Sequence, residues 1–155
     1  MVLDRIKSLF KQPEPAGPPE RIRGYTVSDY PLTKDIMLEE DGWRIDFTEA
    51  RVVRLFEMEQ PDIENSTITY RAQLRTENAQ GAVYVEMWCR FPGKGEFFSR
   101  GLQQAVRGKT DWSVHETPFL LKRGQRPDLI KLNLVGEGAG TAWIKDVELL
   151  RTPLK

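Results

Sequence analysis

Residues 66–91 alternate apolar and polar side chains almost without interruption, and this pattern most constrains the fold. From Ser66 to Thr76, Ile68, Tyr70, Ala72 and Leu74 fall on one side, while Thr67, Thr69, Arg71, Gln73 and Arg75 fall on the other. From Ala82 to Phe91, Val83, Val85, Met87, Cys89 and Phe91 oppose Tyr84, Glu86, Trp88 and Arg90. A period of two places successive side chains on opposite faces of a strand, so each run describes a half-buried strand. Asn78 to Gly81 between them reads as a turn.

Similar patterns recur along the chain. Trp43–Phe47 alternates, Arg51–Met58 is rich in Val, Leu and Phe, and Trp112–Leu121 reads as a strand that Pro118 assigns to an edge or bulge. Leu129–Val135 sets Leu132 and Leu134 against Lys131 and Asn133, and Gly140–Leu150 closes the domain. Seven or eight short strands with turn residues between them, and no long helix, predict an all-β antiparallel sandwich. Crossover helices for a parallel sheet are missing. Gly93–Gly108, with Phe97 and Phe98 side by side, reads as a long loop able to cover a sheet face.

The N-terminus is different. Residues 2–11 read as a short amphipathic helix with Leu3, Ile6 and Phe10 near one face. Pro13, Pro15, Pro18 and Pro19 with Gly17 make a linker of polyproline character. The expected division is an arm and linker over residues 1–24 and a β-sandwich over 25–155. The arm is the expected route to any protein partner.

Charge and special residues narrow the functions. Lys+Arg and Asp+Glu both number 23, which gives no global attraction to nucleic acid. No apolar run approaches the roughly 20 residues of a membrane span, and no secretory leader is legible, so a cytoplasmic location is expected. Cys89 is the lone cysteine and falls on an apolar strand face, which makes it a core residue. His115 and Glu116 are strand neighbours pointing to opposite faces, so they are no ready acid–base pair. Neither a phosphate-cradling Gly-rich loop, a His-Glu-x-x-His run nor a Gly-x-Ser-x-Gly elbow occurs. No catalytic residue and no cofactor are expected.

The second half of the chain carries a resemblance. Thr110-Asp111-Trp112, Glu116-Thr117-Pro118-Phe119, Ile130-Lys131-Leu132-Asn133-Leu134 and the run Gly138 to Leu149 (GAGTAWIKDVEL) resemble the end of carbohydrate-binding-module-like domains of the galactose-binding-like jelly-roll superfamily. The resemblance spans roughly residues 36–152. It implies a jelly roll, a ligand on the concave face of one sheet, and structural roles for Trp112 and Trp143. Members often hold calcium through paired acids near the end of that run. Here Lys145 stands where the first acid is usual, and an ammonium opposes a site that needs several oxygen ligands, so no metal is expected.

The outward faces of the two alternating runs supply the candidate site: Trp88, Tyr84, Glu86, Arg90, Gln73, Arg71 and Asn133. A ring at Trp88 can stack on the apolar face of a sugar while amide, carboxylate and guanidinium groups hydrogen-bond its hydroxyls. The leading expectation is a noncatalytic module binding a carbohydrate or similar polar ligand. The alternatives are an interaction or assembly domain without a small ligand and a small glycan-acting hydrolase.

Overall fold

The computed structural model describes residues 13–155. The amphipathic arm expected over residues 2–11 lies outside the described residues. Among the described residues, the elements are β1 (Glu20–Tyr25), β2 (Met37–Glu39), β3 (Gly42–Phe47), β4 (Arg51–Glu59), β5 (Ser66–Phe91), β6 (Gly95–Arg100), β7 (Val106–Leu121), β8 (Leu129–Gly136) and β9 (Gly140–Pro153). A single 3-10 turn, Leu102–Gln104, lies between β6 and β7. All pairings between strands are antiparallel. The expected antiparallel β-sandwich is the observed fold.

β5 organises the molecule. Its first half, Ser66–Thr76, lies between β7 and β9, and β9 in turn pairs with β1 and β3, with β2 outermost. Its second half, Val83–Arg90, lies between β6 and β8, with β4 beyond β8. The halves therefore belong to two different layers. Ile68, Tyr70, Ala72 and Leu74 from one half and Val83, Val85, Met87 and Cys89 from the other share one core, all nearly or fully buried. The alternation of both runs has this single cause.

The segment Asn78–Gly81 is not a hairpin turn. β5 runs through it without reversing, and the core-facing positions change from even to odd numbers across it. Register shifts fall between Thr76 and Val83, and Asn78 has φ +55°. A one-residue slip exchanges the two faces of a strand, so the same face of β5 meets the core on both sides of the crossing. Gly81 makes room there: a Cβ at this position would lie 2.5 Å from the Glu137 carbonyl carbon and 2.6 Å from the Gly138 nitrogen. Both are backbone atoms, which cannot swing aside. Gly81→Ala should therefore destabilise the domain by about 1–3 kcal/mol, read as a lower urea midpoint at unchanged slope.

Two other segments differ from expectation. Residues 95–100 form strand β6, whose hydrogen bonds to β5 lie beside Trp88 instead of over it. Ordered pairing also begins inside the proline-rich segment. Pro15 bridges Leu154, Ala16 donates its N–H to the Pro153 carbonyl at 2.7 Å, and β1 starts at Glu20. β1 ends on Tyr25, whose buried ring stacks on Phe56 with centroids 4.1 Å apart. Among the described residues, no helix is long and apolar enough to cross a membrane.

Candidate functional site

The outward side chains of β4, β5, β6 and β8 form a four-strand surface. One row across it is Phe98, Trp88, Lys131 and Glu57, and the next is Arg100, Glu86, Asn133 and Arg54. Between these rows lies a shallow groove of about 320 Å³, lined by Trp88, Glu86, Asn133, Lys131, Arg54 and Arg100 among others.

Glu86 is the hub of this surface. It is 2% exposed. Its Oε1 accepts the Trp88 indole N–H at 2.8 Å and the Asn133 amide at 3.0 Å, while Oε2 accepts Arg100 Nε at 2.8 Å. A buried carboxylate is tolerated only with such partners. The consequence is positional: one acid fixes the indole, the amide and the guanidinium relative to one another. Trp88 is itself half-buried, with the half-exposed Phe98 ring tilted against it at a centroid distance of 5.1 Å. The Arg100 guanidinium lies 4.0 Å from the Phe98 centroid. The two rings and the guanidinium make a stacked platform along one side of the groove.

The remaining charges are paired. Lys131 Nζ lies 2.6 Å from Glu96, and Arg54 pairs with Glu57. With Arg100 and Glu86, three cations meet three anions, so the surface is polar without a net sign.

The seven residues expected at the site separate. Trp88, Glu86 and Asn133 come together in the groove. Arg90 flanks it at one strand end, where both its Nε and Nη2 donate to Asp128 and hold that carboxyl below the usual range. Tyr84 is largely buried, packed with Ala82 and Val135, and donates its hydroxyl to Glu137 at 3.3 Å. Arg71 and Gln73 lie on the other layer, facing away on the opposite side of the sandwich. The reason is the crossing at Asn78–Gly81, which sends the second half of β5 to a new layer instead of folding it back beside the first. Arg54, Arg100 and Glu96 complete the groove and are not legible as its members from the sequence; they come from strands whose neighbours only the topology determines.

The opposite face is occupied with its own contacts. Arg71 Nε and Arg21 Nε donate to Glu148 at 2.7 and 2.9 Å, and Gln73 donates to Asp146 at 2.7 Å. Asp146, at φ +52°, is a bulge in β9, so the second acid of the closing run serves a hydrogen bond between strands. The Arg75 guanidinium lies 3.9 Å from the Trp143 ring and 5.6 Å from Trp112, and Lys145 Nζ lies 4.3 Å from Trp112. Trp112 and Trp143 thus pack against cations on this layer.

Neither candidate nucleophilic group is poised for chemistry. Cys89 is buried, and desolvation pushes its thiol up to about 12, so the thiolate is scarce at neutral pH. His115 is buried, with Nε2 2.9 Å from the Ser113 hydroxyl and Nδ1 without a partner. Burial lowers its pKa. The unfolded chain then takes up a proton below about pH 6.5 that the folded chain resists, so stability is full above that pH and falls as pH drops through it. Thermal melts between pH 7 and 5 should show this decline, by no more than about 1.4 kcal/mol per pH unit, and His115→Asn should flatten it.

No family model matches the sequence, and no curated relative matches it. Solved structures do resemble it in fold. The CBM22-1 xylan-binding domain of Paenibacillus barcinonensis Xyn10C superposes with a TM-score of 0.60 at 7% identity, over 90% of this chain and 99% of that one. A CBM4 structure gives 0.55 at 12% identity over 83% and 78%. The Stig cyclase Fisc from Fischerella sp. TAU, in complex with (3Z)-3-(1-methyl-2-pyrrolidinylidene)-3H-indole, gives 0.52 at 13% identity over 92% and 81%. The chain is thus similar in fold to the β-sandwiches of these carbohydrate-binding modules and of the cyclase.

Proposed function

We propose that the chain is a noncatalytic binding module that takes a neutral carbohydrate in the Trp88 groove. The observation that carries this reading is the Glu86 hub, which presents a half-buried indole and an amide side by side on an open sheet face. An aromatic ring flanked by hydrogen-bonding groups suits a ring with one apolar face and equatorial hydroxyls. The pairing of every cation in the groove favours a neutral ligand over an anionic one, because a polyanion would have to displace a carboxylate from each.

Trp88 is the central contact in this reading, with Asn133, Lys131, Arg54 and Arg100 reaching the hydroxyls. Arg90 is peripheral. Tyr84 is not among the residues that line the groove and has no contact role in this reading. A noncatalytic role agrees with the chemistry of the groove, where both oxygens of Glu86 are committed and Glu96 is held by Lys131. A hydrolase would need a free acid and a second carboxylate across the scissile bond.

The test is a glycan array spanning neutral and acidic oligosaccharides, followed by calorimetry on the hits. Binding of neutral oligosaccharides that is lost in Trp88→Ala supports the proposal. Binding confined to acidic glycans, or binding indifferent to Trp88, overturns it.

A further inference from the structure

The apolar core reaches the surface at one end of the sandwich. Phe97 of β6 lies opposite Cys89 of β5, and directly opposed residues share a face of the sheet, so Phe97 stands on the core side. Cys89 is fully buried there, yet Phe97 is 50% exposed. Its ring lies 5.9 Å from that of Phe91, and Phe119, from the other layer, lies 6.1 Å from Phe91. These three rings, with Pro92 and Leu120, form the apolar wall of a cavity of about 370 Å³. That volume is within the range of small-molecule sites, roughly 300–1,000 Å³.

The charged residues around this wall are all cations. Lys94, in the β5–β6 turn, and Lys122 and Arg126, between β7 and β8, line the cavity, and no Asp or Glu does. Arg126 is engaged, donating to Asp62 and Glu64 at 3.1 Å each. The second oxygen of Glu64 accepts the Gly124 N–H at 2.6 Å. Lys94 and Lys122 are exposed and form no ion pair among the described residues. The acceptors of the lining are used as well: Gln125 Oε1 takes the Lys122 N–H, and the Phe91 carbonyl takes the Lys94 N–H. An open apolar wall therefore adjoins two ammonium groups that no acid answers.

We propose that this cavity takes a small apolar anion, its hydrocarbon body against Phe91, Phe97 and Phe119 and its acidic head at Lys94 and Lys122. Covering Phe97 removes apolar surface from water, and an anionic head supplies the charge that the two ammonium groups lack. A lysine is a point charge without a fork of donors, so it accepts a carboxylate or a phosphate head alike. The chain's own first residues are the wrong occupant. The described chain does begin near this end, since Pro15 bridges Leu154, Leu154 donates to the Asn65 carbonyl, and Asn65 donates to that of Lys122. Residues 2–11, however, carry Arg5, Lys7 and Lys11 against Asp4 alone, which repeats the charge of the rim. The cavity shares no lining residue with the Trp88 groove, and the proposal stands whether or not that groove binds glycans.

The experiment is a low-salt titration of the full ¹⁵N-labelled chain with 3-phenylpropionate and phenyl phosphate, with 3-phenylpropan-1-ol as the neutral control. The Gly124 and Gln125 amide signals report on the cavity, and the Trp88 indole signal reports on the groove. At least one anion should shift the cavity signals saturably and leave Trp88 still, and the tighter of the two names the head. The alcohol should bind about tenfold more weakly, as expected for the loss of two exposed charge pairs worth a few-fold each. Added salt should erode that difference. The double variant Lys94→Glu/Lys122→Glu changes two exposed positions. It should weaken the anion at least about tenfold and leave the alcohol unchanged, whereas Phe97→Ser should weaken both. Cavity signals that stay still at millimolar anion overturn the proposal. So do equal affinities for anion and alcohol, or full anion affinity in the double variant.

Discussion

Trp88→Ala should reduce glycan affinity at least about thirtyfold while lowering stability by only about 1–2 kcal/mol. A central aromatic anchor is typically worth 2 kcal/mol or more to binding, which is the thirtyfold. The stability cost is smaller than for a core indole because Trp88 sits on the outer face of β5, while the core lies on the side of Met87 and Cys89. The variant removes one donor from Glu86, whose Oε1 keeps Asn133 and whose Oε2 keeps Arg100. Calorimetry with the best array hit and a thermal melt of the same sample separate the two effects. A melt lowered by far more than a few degrees would show that the ring supports the sheet.

Glu86→Ala should be the more damaging change to stability, at about 2–3 kcal/mol. It strands the buried Asn133 amide and the Trp88 N–H together and frees Arg100 from its pair. Binding should fall with it, because the indole and amide lose their common anchor. Glu86→Gln separates the causes. Its carbonyl oxygen can still accept from Trp88 and Asn133, so the platform keeps its shape, while the ion pair with Arg100 is gone. The glutamine variant should therefore retain most of the glycan affinity and lose only part of the stability. If glutamine is as harmful to binding as alanine, the carboxylate itself contacts the ligand, and Glu86 is a binding residue instead of a scaffold for one.

The strands themselves were legible because burial writes a period of two into them, and Ile68 to Leu74 and Val83 to Cys89 read correctly as core. Their partners were not. Asn78-Ala79-Gln80-Gly81 carries the residues of a turn, and those residues do serve special backbone geometry, with Asn78 at positive φ and Gly81 against Glu137. Local composition reports that geometry. It does not say whether the chain reverses or crosses to another layer, and a single sequence has no term for that choice. A hairpin there would put Arg71 and Gln73 beside Trp88; the crossing puts them on the opposite layer. β6 is not legible as a strand for a related reason. Phe97 and Phe98 have no apolar–polar alternation to offer, since each packs on a different ring, Phe91 on one face and Trp88 on the other. The three residues that did come together, Trp88, Glu86 and Asn133, needed only face assignment and the adjacency of β5 and β8.

The passage of β5 through both layers has a mechanical meaning. Most sandwiches join their sheets by loops, which can stretch while each sheet keeps its own ladder. Here a single covalent spar of 26 residues is hydrogen-bonded on both sides in each layer. Neither layer can peel away as an independent body without dismantling the middle of the other. Pulling on the chain ends, or loosening one face by heat, should meet one barrier instead of two. A ligand seated on β4, β5 and β8 would brace the far layer as well as its own.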